Sequence, residues 1–178
     1  LVPFIQGSPG LGKSAIIKEI AEEYNLELID IRLSQCDPSD LMGFPKLDGE
    51  TATYVPMDLF PTESTKLPKN KKGWIIFFDE LNSAPKSVQV CAYKIILDRM
   101  VGQHKLNENV LVCCAGNLAT DKAVVNNLST ALRSRLVNLT MVRFIHSRRL
   151  VLTRSLNCCS SVKCPDPSSS TTSSALAQ

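Results

Sequence analysis

The sequence predicts an α/β domain in which a five-stranded parallel sheet is flanked by helices, and three observations point there. A glycine-punctuated stretch, Gly7-Ser8-Pro9-Gly10-Leu11-Gly12-Lys13-Ser14, lies between a short apolar run and a segment with helical spacing. Strand-like and helix-like segments then alternate along the chain, with none of the hairpin-rich patterning of an all-β fold. The run Trp74-Ile75-Ile76-Phe77-Phe78 is continuously apolar, as expected of a strand buried on both faces of a sheet.

In chain order, VPFIQ at 2–6 is the first strand, and Ile16, Ile17, Ile20 and Ala21 recur at helical spacing after the glycine loop. LELIDIRL at 26–33 is the second strand. Residues 34–73 carry five prolines and three glycines and read as an insertion between the second and third strands. Within it, SDLMGFP forms a short helix, ATYVPM a small hairpin arm and MDLFPTES a helical turn, because forty residues of pure loop would be unusual in a compact domain. WIIFF at 74–78 is the third strand. SAPKSVQVCAYKIILDRM follows as a helix, with Ser83 as its cap, Pro85 in its first turn, and Val88, Cys91, Ala92, Ile95 and Ile96 on one apolar face. NVLVCCAGN at 109–117 and LVNLTMV at 136–142 complete the sheet. From Arg143 to Gln178 the text changes character, with twelve Ser or Thr among 36 residues and no sustained periodicity. It reads as a disordered or non-native tail, removable without loss.

A chain of 178 residues, 44% hydrophobic and 21% charged, fits one globular domain with an appendage. No apolar run approaches the ~20 residues needed to cross a bilayer. Leu1 opens on an apolar segment without a leader pattern, and no initiator Met precedes it, so the reading is of a cytoplasmic protein lacking its natural start. The net charge of +3 is concentrated late: Arg143, Arg148, Arg149, Arg154 and Lys163 face one acid, Asp166, which leaves fifteen bases against sixteen acids in residues 1–142. A generally basic face for nucleic acid is therefore not expected, and the lysines at 66, 69, 71 and 72 read as a solvated loop. Cys36, Cys91, Cys113 and Cys114 lie in or beside apolar runs without paired CxxC spacing, which fits reduced, buried thiols better than a zinc site.

The chemistry-bearing residues begin with Gly7 to Ser14, which satisfy GxxxxGK[ST] between a strand and a helix. Glycines there allow backbone N–H groups to turn inward around phosphate oxygens, the helix N-terminus adds its positive end, Lys13 bridges outer phosphates and Ser14 offers a hydroxyl to Mg²⁺. The strand WIIFF delivers Asp79 and Glu80 to its carboxyl end, where open α/β sheets place ligands. Asp79 suits the Mg²⁺ shell, and Glu80 suits orientation of a water for in-line attack on a γ-phosphate. Asn117 ends the next strand, where its amide could touch that phosphate or position the same water. Arg133 and Arg135 precede the last strand on a segment that does not easily reach its own nucleotide, a placement suited to action in trans. Guanine recognition is disfavoured, since Asn117-Leu-Ala-Thr-Asp121 lacks the lysine of an NKxD segment.

Residues 1–142 resemble an AAA+ ATPase, specifically the MoxR-like and dynein-related group with an insertion in the second-helix region. The likeness rests on GSPGLGKS, SDLMGFP with the Tyr-Val-Pro segment, FFDELNSAPKSVQ, GQHKLNENVLVCCAGN and STALRSRL, in family order. It implies a P-loop NTPase core that binds ATP and Mg²⁺. Lys13 and Ser14 match the nucleotide loop, Asp79 and Glu80 the magnesium and water motif, Asn117 the first sensor, and Arg135 the arginine finger, with Arg133 the less favoured finger. It further implies rings, commonly hexameric, with ATP between neighbours, and remodelling of a protein client, often with a von Willebrand factor A partner. The family continues into a helical lid with a second sensor arginine. No such pattern follows Val142, so weak binding, little ring assembly and near-background hydrolysis are expected. A nucleic-acid motor or loader, and a nucleotide-binding fragment without turnover, are the alternatives.

Overall fold

The computed structural model describes residues 1–118, 126, 128–143 and 150–154. Its main sheet has six strands: β1 (Val2–Gln6), β2 (Glu27–Arg32), β5 (Trp74–Asp79), β8 (Val110–Gly116), β9 (Leu136–Arg143) and β10 (Leu150–Arg154), in the order β10-β9-β1-β8-β5-β2. Every pairing from β9 to β2 is parallel, as in Phe4 beside Cys114 and Ile76 beside Val112. These are the five strands expected from the sequence. β10 is the difference: it runs antiparallel along β9, Leu150 beside Arg143 and Arg154 beside Leu139. The expectation of a structureless tail from Arg143 is thus corrected at Leu150–Arg154. The rest of that segment, at 144–149 and 155–178, lies outside the described residues.

All six residues of β5 are buried, which explains its unbroken apolar run. Strand alternation sends Ile75 and Phe77 to one face, where they join Ile17 and Ala21 of helix α1 (Lys13–Glu23). Trp74, Ile76 and Phe78 go to the other face, against Val88, Ala92, Ile95 and Ile96 of α3 (Lys86–Asp98). Each such side chain fully buried is worth about 1.5–3 kcal/mol, so the two clusters hold the sheet between helices.

Details of the connecting segments differ from expectation. Cys91 is only half-buried and Gln89 takes a buried place on α3, its side-chain amide donating to the Ala84 carbonyl (3.1 Å). Pro85, not Ser83, stands immediately before that helix, and the Ser83 hydroxyl is buried with no hydrogen-bond partner among the described residues. The helix stops at Asp98 because Arg99 takes a left-handed conformation, φ 55°. Met100 therefore belongs to a second small hairpin, β6 (Met100–Val101) with β7 (His104–Lys105), turned at Gly102.

Between β2 and β5 the chain makes a 3₁₀ turn (Leu33–Gln35), a short helix α2 (Pro38–Met42) and a hairpin of β3 (Phe44–Asp48) with β4 (Thr51–Val55). The hairpin spans FPKLDGETATYV, so ATYV belongs to its second strand and is not the whole arm. Residues 57–60 form a single turn, the Phe60 N–H donating to the Met57 carbonyl (3.0 Å), which buries the Phe60 ring.

Candidate functional site

The loop from Gly7 to Gly12 joins β1 to α1 at the carboxyl edge of the sheet. Gly10 and Gly12 have φ of +78° and +86°, a region that L side chains rarely adopt, and a Cβ on Gly10 would point into open space. The loop therefore turns its backbone toward an open side. Gly7 lies against Met141 of β9, and Leu11 packs toward the α1 cluster, so these two residues anchor the loop on the sheet and helix.

Lys13 opens α1 and is only 8% exposed. Its ammonium donates to the carbonyls of Gly7 (2.8 Å) and Ser8 (3.2 Å) and to Asn117 Oδ1 (3.3 Å). An unpaired ammonium in this place would be costly, and the loop carbonyls hold it at the mouth of the turn. One residue on, the Ser14 hydroxyl donates to Asp79 Oδ2 (3.2 Å), while Asp79 Oδ1 accepts the Glu80 N–H (2.8 Å).

Glu80 leaves β5 with φ +58°, so consecutive acids diverge: Asp79 stays with Ser14, and the Glu80 carboxylate accepts from the Ser34 hydroxyl. A cavity of about 450 Å³ is lined by Pro9, Gly10, Gly12, Lys13, Ser14, Ala15, Asp79, Glu80 and Asn117. Residues more than a hundred positions apart thus meet at one place, because β1, β8 and β5 are neighbours in the sheet.

The Ser14–Asp79 pair fits Mg²⁺, a hard cation that takes one or two carboxylates, keeps several waters and shares phosphate oxygens. Among the described residues no group of three His, Cys, Asp or Glu could build a softer, all-protein metal cage. The Asp30 carboxyl on β2 is held above its ordinary range by burial and then by the charge of Asp79, with Arg32 opposing. Burial pushes the Cys113 thiol up to about 12 and holds the Cys114 thiol well above its ordinary value, so neither is a thiolate nucleophile near neutral pH.

Arg133 and Arg135 do not line the cavity. Arg133 ends α4 (Thr130–Arg133), Arg135 follows it, both are exposed, and the Arg135 guanidinium donates to the Ala131 carbonyl (3.3 Å). Sequence reasoning does not single out Ala15, which lines the cavity, or two polar residues beside it. Ser34, in the 3₁₀ turn after β2, touches Glu80; Asn82, two residues beyond Glu80, clasps the backbone of Asn117. Only the position of Asn82 within FFDELNSA offered a signal for either. No helix among the described residues is long and apolar enough to cross a membrane.

The model of the ATPase family associated with various cellular activities matches residues 4–144. Giardia intestinalis midasin is 36% identical over 85 residues, which is 47% of this chain and 2% of that protein. A solved structure of a Cytophaga hutchinsonii protein assigned as an ATPase shares the fold with a TM-score of 0.54 at 19% identity, over 80% of this chain and 42% of that one. The chain spans less than half the length of either relative.

Proposed function

Since the chain belongs to the ATPase family associated with various cellular activities, we propose that its cavity binds Mg²⁺ and ATP and hydrolyses the nucleotide to ADP and phosphate, as a MoxR-like machine that remodels a protein client. The observation that carries this reading is the convergence of Lys13, Ser14, Asp79, Glu80 and Asn117 on one cavity. Backbone N–H groups of the loop and the first turn of α1 face the phosphates, and Lys13 leaves loop carbonyls for phosphate oxygens, exchanging dipoles for charge. Ser14 and Asp79 would hold Mg²⁺, which would neutralise charge developing on the phosphate oxygens. Glu80 accepts a hydrogen bond from a water and aims its oxygen at the γ-phosphorus. The new P–O bond forms as the bond to the β-phosphate oxygen breaks, ADP departs, and a proton is released with inorganic phosphate.

The catalytic unit under this proposal comprises residues 1–142, with β10 extending its sheet. Arg135, exposed and outside its own cavity, acts as the finger for a neighbouring copy in a ring, with Arg133 its alternative. A von Willebrand factor A-type partner and a cytoplasmic setting complete the proposal. The near-balance of charge in 1–142 favours a protein client over nucleic acid.

Two substitutions separate binding from chemistry. Lys13→Ala is expected to weaken Mg·ATP binding by about tenfold or more, the scale of one lost charge-assisted hydrogen bond. Glu80→Gln is expected to keep nucleotide affinity and lower phosphate release about 10²-fold or more. Nucleotide titration and phosphate release on both variants check this, and equal loss of binding in the two would refute the assignment.

A further inference from the structure

The chain that leaves β5 does more than deliver Asp79 and Glu80. Two residues later it places Asn82, 3% exposed, directly beneath the end of β8. The β5–β8 ladder reaches one step beyond the regular strand, where the Leu81 N–H donates to the Ala115 carbonyl (3.0 Å). Beyond that step β8 has no β5 backbone opposite it, because Glu80 has turned the chain away. The Asn82 amide takes the missing strand's place. Its Nδ2 donates to the Asn117 carbonyl (2.7 Å), and its Oδ1 accepts the Asn117 N–H (3.1 Å).

A planar amide bonded to both the N–H and the C=O of one residue fixes the two peptide planes that flank it, leaving only the side-chain torsions. The residue so fixed is the one whose Oδ1 lies 3.3 Å from the Lys13 ammonium. Asn82 is itself held: its carbonyl accepts the Asn126 N–H (2.7 Å), and the Asn126 amide donates to the Ala84 carbonyl (2.9 Å). The clamp also accounts for Gly116. A Cβ there would stand 2.8 Å from Asn82 Cγ and closer still to Oδ1, so no other residue fits between clamp and strand.

We propose that Asn82 is a positioning residue that sets where the Asn117 amide stands against the terminal phosphate, a role that rests on the ATP-binding reading above. Asn82 does not itself line the cavity and acts through the backbone of Asn117, which does. Few other side chains fit the position. Asp offers no donor to the Asn117 carbonyl and would set a second oxygen against it, and Leu offers neither bond.

The test uses the full chain and a double-mutant cycle of Asn82→Ala and Asn117→Ala. The readouts are affinity for a non-hydrolysable ATP analogue, affinity for ADP, and hydrogen exchange at the Asn117 amide. Asn82→Ala is expected to weaken the analogue about tenfold and ADP less than about twofold. The Asn117 amide should exchange at least about tenfold faster while β8 amides from Val112 to Cys114 stay protected. The double variant should bind the analogue within about twofold of Asn117→Ala alone, since a clamp has nothing to position once the side chain is gone.

Asn82→Asp keeps the acceptor for the Asn117 N–H. It is expected to hold that amide protected yet lose the preference for the triphosphate, which supplies a second variant if Asn82→Ala loses β8 protection as a whole. Multiplicative losses in the double variant would overturn the proposal, as would equal weakening of both nucleotides or unchanged exchange at Asn117. A Lys13→Ala chain that binds nucleotide as the parent does would overturn the ATP reading itself, and the clamp's catalytic meaning with it.

Discussion

Gly116→Ala tests the close junction between the end of β8, Phe4 and Asn82. The added methyl would stand 2.8 Å from Phe4 Cζ and from Asn82 Cγ, where ordinary contact begins at about 3.4 Å. Neither neighbour has room to retreat: Phe4 is 1% exposed and Asn82 3%. Overpacking of this kind costs about 1–3 kcal/mol. The displaced Asn82 amide gives up its two bonds to Asn117, at about 0.5–1.5 kcal/mol each. The sum, roughly 2–6 kcal/mol, is a large part of the ~5–15 kcal/mol that holds a domain together. Urea unfolding measures it, with Gly49→Ala as the control. Gly49 has φ +63° but nothing within 4 Å of a new Cβ, so only backbone strain of about 1 kcal/mol applies there. Combining Gly116→Ala with Asn82→Ala should cost less than the two losses added, because the first change then meets a shortened neighbour. A Gly116→Ala chain within about 1 kcal/mol of the parent, or strict additivity of the pair, would refute the packing argument.

Two further outcomes follow from burial and pairing. The Cys113 thiol stands near 12 in the folded chain against its ordinary value of 9.0, so the folded state keeps a proton that the unfolded state gives up. Its contribution to stability is complete below about pH 9 and declines as pH rises toward 12, by about 1.4 kcal/mol per unit for a single group. Unfolding midpoints of the parent and Cys113→Ala chains should accordingly converge as pH rises across that window. Truncation after Arg143 removes β10 and leaves β9 as an unpaired edge, so it should lower the unfolding midpoint and promote concentration-dependent association, measurable by sedimentation.

The parallel sheet was legible because its signals are local. An unbroken apolar run marks β5, and helical spacing marks α1 and the buried face of α3. The same holds for Lys13, Ser14, Asp79, Glu80 and Asn117, each of which ends or follows a strand within a short motif. What was missed depends on neighbours distant in sequence. Five residues of β10 carry too little periodicity to be read alone, and only β9 beside them makes them a strand. Ser34 meets Glu80 only because a 3₁₀ turn after β2 faces the exit of β5. The hairpin of β3 with β4 was placed one strand too late, although Asp48-Gly49 is a strong turn signal. The type and spacing of Ser83 suit a helix cap, whereas the chain enters α3 through Pro85.

The place of β1 in the sheet has a consequence for how the molecule is made. Of the six strands of this sheet Val2–Gln6 is synthesised first, yet its partners are Cys114–Gly116 on one side and Leu136–Thr140 on the other. At about 5–20 residues per second, synthesis needs roughly 7–28 s to supply both. Through that interval the strand and the glycine loop behind it have no sheet to join. Within this domain the glycine loop is therefore synthesised early and is among the last parts to gain its fixed form. Nucleotide capture during translation would report that the central slot of the sheet has been filled.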